Sequence, residues 1–187
     1  IYVMKFGGTS VGSAHAIENT ARIIEEKRQE LGQIVIVVSA IRGVTDSLVR
    51  VCNYLENERE DNLELEIEDI TAKHNLVISD LDLSDSSKQS LEKKLSFYLS
   101  SLRKSCFTSE YSLMTKDLIT GLGERMNCHI VSASLSSMGI DSEAVDATEI
   151  IETDNNFGKA NPNMENTEIY SKRKLLTMLN AEIIPVV

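Results

Sequence analysis

Ile1-Tyr2-Val3-Met4-Lys5-Phe6-Gly7-Gly8-Thr9-Ser10-Val11-Gly12-Ser13 stands at the head of the sequence, and its reading decides the fold. The apolar, β-prone run Ile1-Tyr2-Val3-Met4 feeds into Lys5 and the glycines, and a helical pattern leaves from about Ala14. The glycines therefore fall at a strand-to-helix turn, where backbone N–H groups can face an anion. Without a Cβ, Gly7 and Gly8 are free to take positive φ and to let an anion approach the main chain. The helix that follows adds unpaired donors and a favourable dipole, and Lys5 adds a formal charge. The loop is not a Walker A sequence, because its lysine precedes the glycines, and it is not Gly-x-Gly-x-x-Gly. On spacing alone a phosphate cradle and an ordinary tight turn stay equally open.

Working outward, Ile17, Ala21, Ile24 and Leu31 mark the apolar stripe of a helix over about 14–31, ended by Gly32. The β-branched run Ile34-Val35-Ile36-Val37-Val38 then reads as a strand buried on both faces of a parallel sheet. A β-α-β unit with a right-handed crossover follows. It puts Ser39-Ala40-Ile41-Arg42-Gly43-Val44-Thr45-Asp46 on the same rim as the glycine loop, the rim where open α/β sheets bind ligands. A helix is expected from Asp46 to about Glu58, with Leu48, Cys52 and Leu55 on one side.

The stretch Glu56–Asp69 is strongly acidic, yet Ile67, Ile70, His74 and Val77 keep helical spacing. So do Leu91, Leu95, Leu99, Leu102 and Cys106, and Asp80–Ser87 supplies a turn between the two series. Residues 62–105 thus read as a helical hairpin inserted into the α/β core, with His74 a packed or partly exposed core residue. From Ser109 to Met138 a helix is expected, broken around Gly121-Leu122-Gly123 because two glycines in three residues are costly in a helix. The break sets Glu124 at the start of a new helix whose inner face carries Met126, Ile130 and Ala133. A short strand Glu143–Ala147, a polar loop Asp154–Pro162, a helix over about 166–179 and a last strand Ile183–Val187 complete the pattern.

The chain has 187 residues, 42% of them hydrophobic, enough for one domain with a real core and short for two. Nineteen Lys+Arg against 29 Asp+Glu leave a net charge of −10, which argues against a nucleic-acid or anionic-membrane surface. Any phosphate site must be local. Cys52, Cys106 and Cys128 are widely spaced and lack zinc-ligand spacing, so they read as reduced, packed thiols. No apolar run approaches the roughly 20 residues of a membrane span. No basic segment followed by a small-residue cleavage site stands at the start, so the cytoplasm is expected.

Four stretches in order give the chemistry a family. Met4-Lys5-Phe6-Gly7-Gly8-Thr9-Ser10-Val11-Gly12 resembles the N-terminal signature of aspartokinases, members of the amino-acid kinase superfamily. Val38-Ser39-Ala40, continuing to Gly43-Val44-Thr45-Asp46, resembles the family's second loop. Gly123-Glu124 resembles its Gly-Glu helix start, and Thr153-Asp154-Asn155-Asn156-Phe157-Gly158-Lys159-Ala160 its later substrate loop. The resemblance spans essentially the whole chain. It implies a three-layer αβα fold with a mainly parallel sheet, and transfer of the γ-phosphoryl of ATP to the β-carboxylate of L-aspartate, giving 4-phospho-L-aspartate, the first step toward lysine, threonine, methionine and isoleucine.

On the same ground Lys5 reaches the transferred phosphoryl group, and the Gly7 and Gly8 amides with Ser10 cradle the ATP phosphates. Ser39 and Thr45 contact the aspartate, and Glu124 pairs with its α-ammonium. Mg2+ accompanies ATP, and no metal ligand can be named. Each residue has a plainer reading: Thr45 could cap the helix after it, and Glu124 could complement its helix dipole. Asp154 and Phe157 read as loop-shaping residues. In the family the domain continues past such a final strand into a Gly-Arg-Gly-Gly-Ser-Asp stretch, an adenine-binding segment and regulatory domains. None of these follows Val187, so residues 1–187 are expected to be a single incomplete kinase domain, inactive alone, from a homo-oligomeric full-length protein. A non-catalytic module that binds a partner or dimerises through its acidic hairpin is the alternative.

Overall fold

In a computed structural model of the chain, residues 1–59, 62–108 and 111–187 are described. The elements run β1 (Tyr2–Phe6), α1 (Ala14–Leu31), β2 (Ile34–Val38), α2 (Val44–Glu56), α3 (Leu63–Asp80), α4 (Asp85–Thr108), α5 (Leu113–Thr120), α6 (Leu122–Ser137), β3 (Ser142–Ala144), a 3-10 turn (Ala147–Glu149), α7 (Met164–Asn180) and β4 (Ile184–Val186). The expected helix start at Ser109 lies outside the described residues, as does part of the acidic stretch before α3.

The four strands form one parallel sheet in the order β1-β2-β4-β3. β1 and β2 pair in register from Tyr2↔Ile34 to Phe6↔Val38, so Gly7 and Ser39 leave the sheet side by side. Side chains alternate across a strand, and the core divides accordingly. Ile34, Ile36, Val38, Ile184 and Val186 join the main core with α1 to α6, whereas Ile183 and Val187 pack with Val145, Ile150, Leu175 and Met178 beneath α7. Helices therefore cover both faces, which makes the α/β architecture three-layered.

Local chemistry explains the element ends. Ser13 caps α1 by accepting from the Ala16 N–H at 3.2 Å, and Gly32, at φ 79°, closes it with its N–H on Arg28 O at 3.0 Å. α2 begins at Val44, two residues before the expected Asp46, because Gly43 turns the chain at φ 80°. β3 stops at Ala144 instead of reaching Ala147, because the Asp146 carboxylate accepts from the Thr148 N–H and hydroxyl and bends the chain into the 3-10 turn. Asn163 caps α7 through the Asn166 N–H at 3.2 Å, so that helix starts at Met164.

α3 begins in the acidic stretch and α4 follows it, and together they bury Leu63, Ile67, Ile70, Val77, Ile78, Leu91, Leu95, Leu99 and Leu102. Each such side chain contributes roughly 1.5–3 kcal/mol on burial, enough to hold a highly charged segment folded. His74 is fully buried on this stripe. Its Nδ1–H donates to Ile70 O at 2.7 Å, and Nε2 has no partner among the described residues. The three cysteines are buried free thiols, pushed up by burial to about 11 for Cys52 and about 12 for Cys106 and Cys128. None of the described helices is long and apolar enough to cross a membrane.

Candidate active site

The glycine loop follows β1 as a tight turn, in which Ser10 N–H donates to Gly7 O at 2.8 Å and Thr20 on α1 donates its hydroxyl to Ser10 O at 2.8 Å. Both glycines are free to take positive φ, but neither does. Their value is steric. A Cβ on Gly7 would meet nothing within 4 Å, which leaves its backbone open to an approaching group, and one on Gly8 would sit 3.4 Å from Ala40 O. Gly12, quoted in the motif but not assigned a role, is the tightest point: a Cβ there would lie 2.4 Å from Gly8 O and 2.9 Å from Arg42 Cβ. The loop thus folds back on itself and against the β2 loop only because position 12 has no side chain.

Lys5 is exposed at the end of β1 and, among the described residues, has no ion-pair partner. It shares a face with Val3, opposite Met4 and Phe6, which pack on the main core. Ser39 is half-buried beside Gly8, its Oγ 3.9 Å from the Gly8 Cβ position. Thr45 is exposed and does not cap α2: the cap position is Gly43, with no side-chain bond. The capping explanation of Thr45 is therefore ruled out, and its hydroxyl is uncommitted among the described residues.

α6 brings the third part. Gly121 keeps helical angles (φ −78°, ψ −6°), so the expected break between α5 and α6 is a one-residue seam, and Glu124 falls in the first turn of α6. Gly123 makes the approach possible, since a Cβ there would lie 2.7 Å from Ala40 Cβ and 3.2 Å from Val44 Cγ1. Glu124 Oε1 accepts from the Ala40 N–H at 3.3 Å, and Oε2 has no hydrogen-bond partner among the described residues. One turn on, the buried Asn127 donates from Nδ2 to Ser39 O at 2.7 Å.

The Thr153–Ala160 loop is shaped by Asp154, whose carboxylate accepts from the Asn156 and Asn161 backbone N–H groups at 3.1 Å and from the Asn161 side chain at 3.0 Å. Those bonds hold its carboxyl below the usual range. The loop is tied to α5 by the Gly158 N–H on Asp117 Oδ2 at 2.7 Å. Phe157 is exposed and joins neither core cluster. Neither Asn127 nor Asp117 was marked by the sequence. The available signal was a polar side chain three residues after Glu124, on the same helix face and between Met126 and Ile130.

A cavity of about 470 Å³ lies elsewhere, between α4, α6 and β3, lined by Lys94, His129 and several serines. It contains none of Lys5, Gly7, Gly8, Ser10, Ser39, Thr45 or Glu124. Gly8, Ser39 and Glu124 meet around Ala40 beyond the ends of β1 and β2 instead.

A parallel sheet whose first two strands deliver a glycine loop and a polar loop side by side, held by one helix start, is the scaffold of this site, and the chain belongs to the amino acid kinase family, whose model matches residues 1–187. Within that family it is similar to the aspartokinase of Chlamydia pneumoniae, 32% identical over 163 residues, covering 87% of this chain and 33% of that protein. It is 29% identical over 167 residues to the aspartokinase of Schizosaccharomyces pombe, over 80% of this chain and 30% of that one. The chain thus spans about a third of the length of these relatives. E. coli aspartokinase III, solved with aspartate and ADP, shares the fold at a TM-score of 0.84 and 21% identity, over 100% of this chain and 40% of that chain.

Proposed function

We propose that the chain is the phosphate- and substrate-binding part of an aspartate kinase, which transfers the γ-phosphoryl of ATP to the β-carboxylate of L-aspartate at the head of the route to lysine and threonine. Lys5, the Gly7 and Gly8 amides and Ser10 hold the phosphates. Ser39, Thr45 and Glu124 hold the amino acid, the free oxygen of Glu124 taking its α-ammonium. The observation that carries this reading is the side-by-side exit of the Gly7 and Ser39 loops from β1 and β2, with Glu124 at the Ala40 amide. Residues 62–105 are read as an insertion in that domain.

The chemistry asked of such a site is positioning and charge neutralisation. An attacking carboxylate and a polyphosphate repel each other, and Lys5 on the phosphate side offsets that repulsion. Glu124 places the acceptor by its ammonium end, leaving the β-carboxylate to turn toward the glycine loop. ATP would be taken up as its Mg2+ complex, in which the metal would offset phosphate charge with few protein ligands. Among the described residues no group of three or more His, Cys, Asp or Glu forms a metal site.

Titration calorimetry tests the reading. ATP–Mg and L-aspartate should each bind the chain. Lys5→Ala should weaken ATP–Mg at least about tenfold, the loss expected for one charge-assisted contact, and leave aspartate within threefold. Absence of binding by the unaltered chain, or indifference of ATP–Mg to Lys5→Ala, would overturn it and leave the acidic interaction module in its place.

A further inference from the structure

We infer that Asn127 is a positioning residue that couples the phosphate loop to the amino-acid loop, an inference that rests on the proposed aspartate kinase reading. Asn127 is fully buried on α6. Its Nδ2 lies 2.7 Å from Ser39 O and 3.5 Å from Val11 O. An oxygen at that position would face two carbonyl acceptors, so the amide orientation follows from its surroundings. An NH2 group carries two hydrogens, one for each loop: Val11 belongs to the glycine loop and Ser39 to the β2 loop.

The bond to Ser39 O has a second half. Ser39 O and Ala40 N–H belong to one peptide group, and Glu124 Oε1 accepts from that N–H at 3.3 Å. Glu124 and Asn127, three residues apart on the same helix face, thus hold both polar ends of a single peptide plane. The plane's orientation sets where the Ser39 side chain points. The second hydrogen of Asn127 carries the constraint across to Val11, next to Ser10 of the phosphate cradle. Two loops that share one buried donor cannot move independently. A ligand that orders one loop therefore lowers the entropic cost of ordering the other, which is positive coupling between the two ligands.

The residue stands apart from catalysis proper, since it touches loop backbone and not ligand. Its removal should separate the two halves of the site without emptying either. In calorimetry on the unaltered chain, saturating L-aspartate should tighten ATP–Mg binding at least about fivefold, a typical coupling between sites. In Asn127→Leu, which keeps the volume and removes both donors, ATP–Mg alone should bind within threefold of its original affinity, L-aspartate alone should weaken by no more than about tenfold as Ser39 loses its fixed orientation, and the coupling should fall to within twofold of none. Asn127→Ser, too short to span both carbonyls, should do the same and serves if the leucine variant fails to fold.

A merely structural role would weaken both single-ligand affinities together and leave the ratio intact, and that result overturns the inference. So does an unaltered chain that binds both ligands without coupling. A chain that binds neither ligand overturns the kinase reading and this inference with it. Independent of any ligand, amide exchange in Gly8–Gly12 and Ala40–Gly43 should accelerate at least about tenfold in Asn127→Leu while β2 and α1 keep their protection. Unchanged exchange in both loops would show that no tie exists.

Discussion

Gly7 and Gly123 carry the same side chain, a hydrogen, for opposite reasons. Position 7 looks onto open space, whereas position 123 is wedged against Ala40, Val44 and Leu48. Gly123→Ala should therefore cost about 1–3 kcal/mol, the usual price of overpacking, while Gly7→Ala should leave stability within about 0.5 kcal/mol and weaken only the polyphosphate ligand. Chemical denaturation of both variants, beside ATP–Mg titration of the second, checks the pair. Equal stability losses would refute the steric assignment. The sequence marks both glycines, because two glycines in three residues announce a helix seam and a Gly-Gly announces a turn. It does not distinguish clearance for a ligand from clearance for a helix, since that difference depends on which atoms arrive from distant segments.

At the scale of elements, α3 shows what periodicity reveals and what it hides. The stripe Ile67, Ile70, His74, Val77 located the helix through a run of acids, but whether the histidine was partly exposed or sealed depended on how α1, α2 and α4 pack around α3. Sealed, with Nδ1–H on Ile70 O and Nε2 bare, His74 is held below its usual pKa chiefly by burial, with Lys73 adding to the effect and the Ile70 bond opposing it. His129 is shifted the same way, first by burial and then by Lys94.

A base whose pKa is depressed on folding takes up more protons unfolded than folded. Stability is therefore complete above the unfolded value near 6.5 and falls as pH drops below it. Each such group gives a slope of up to about 1.4 kcal/mol per pH unit. Asp69 and Asp146, lowered from 3.8, act only in a more acidic window. Denaturation midpoints should drop from pH 7.5 to 5.5, and His74→Leu should remove part of that drop. An identical drop in the variant would show that His74 ionises without cost. The loops were less legible than the helices: Asp154 reads as a turn former from its neighbours, but the tie from Gly158 to Asp117 spans 41 positions and leaves no local pattern.

Across the whole molecule, the apolar run at residues 1–4 reads as a strand whose place in the sheet the sequence leaves open, and among the described strands it is an edge. Ile1, Tyr2 and Val3 are 64%, 52% and 67% exposed, because β1 pairs with β2 alone among the described strands. Composition cannot reveal this, as an apolar strand looks the same at an edge and at the centre. The sheet itself, its parallel sense and the rim that unites the loops were legible, since two β-branched runs separated by an amphipathic helix admit few arrangements. The proposed ligand roles of Lys5, Ser39, Thr45 and Glu124 come from motif resemblance, and the geometry sets the Gly7 and Ser39 loops side by side with Glu124 at the Ala40 amide.

That common location is the central claim, and amide resonance mapping of the isotope-labelled chain tests it most directly. L-Aspartate should shift the amides of Ser39, Ala40, Thr45 and Glu124, and ATP–Mg those of Gly7, Gly8 and Ser10, with the two sets meeting at Val11 and Ser39. Shifts confined to the serine-lined cavity between α4, α6 and β3, or no shifts with either ligand, would contradict it.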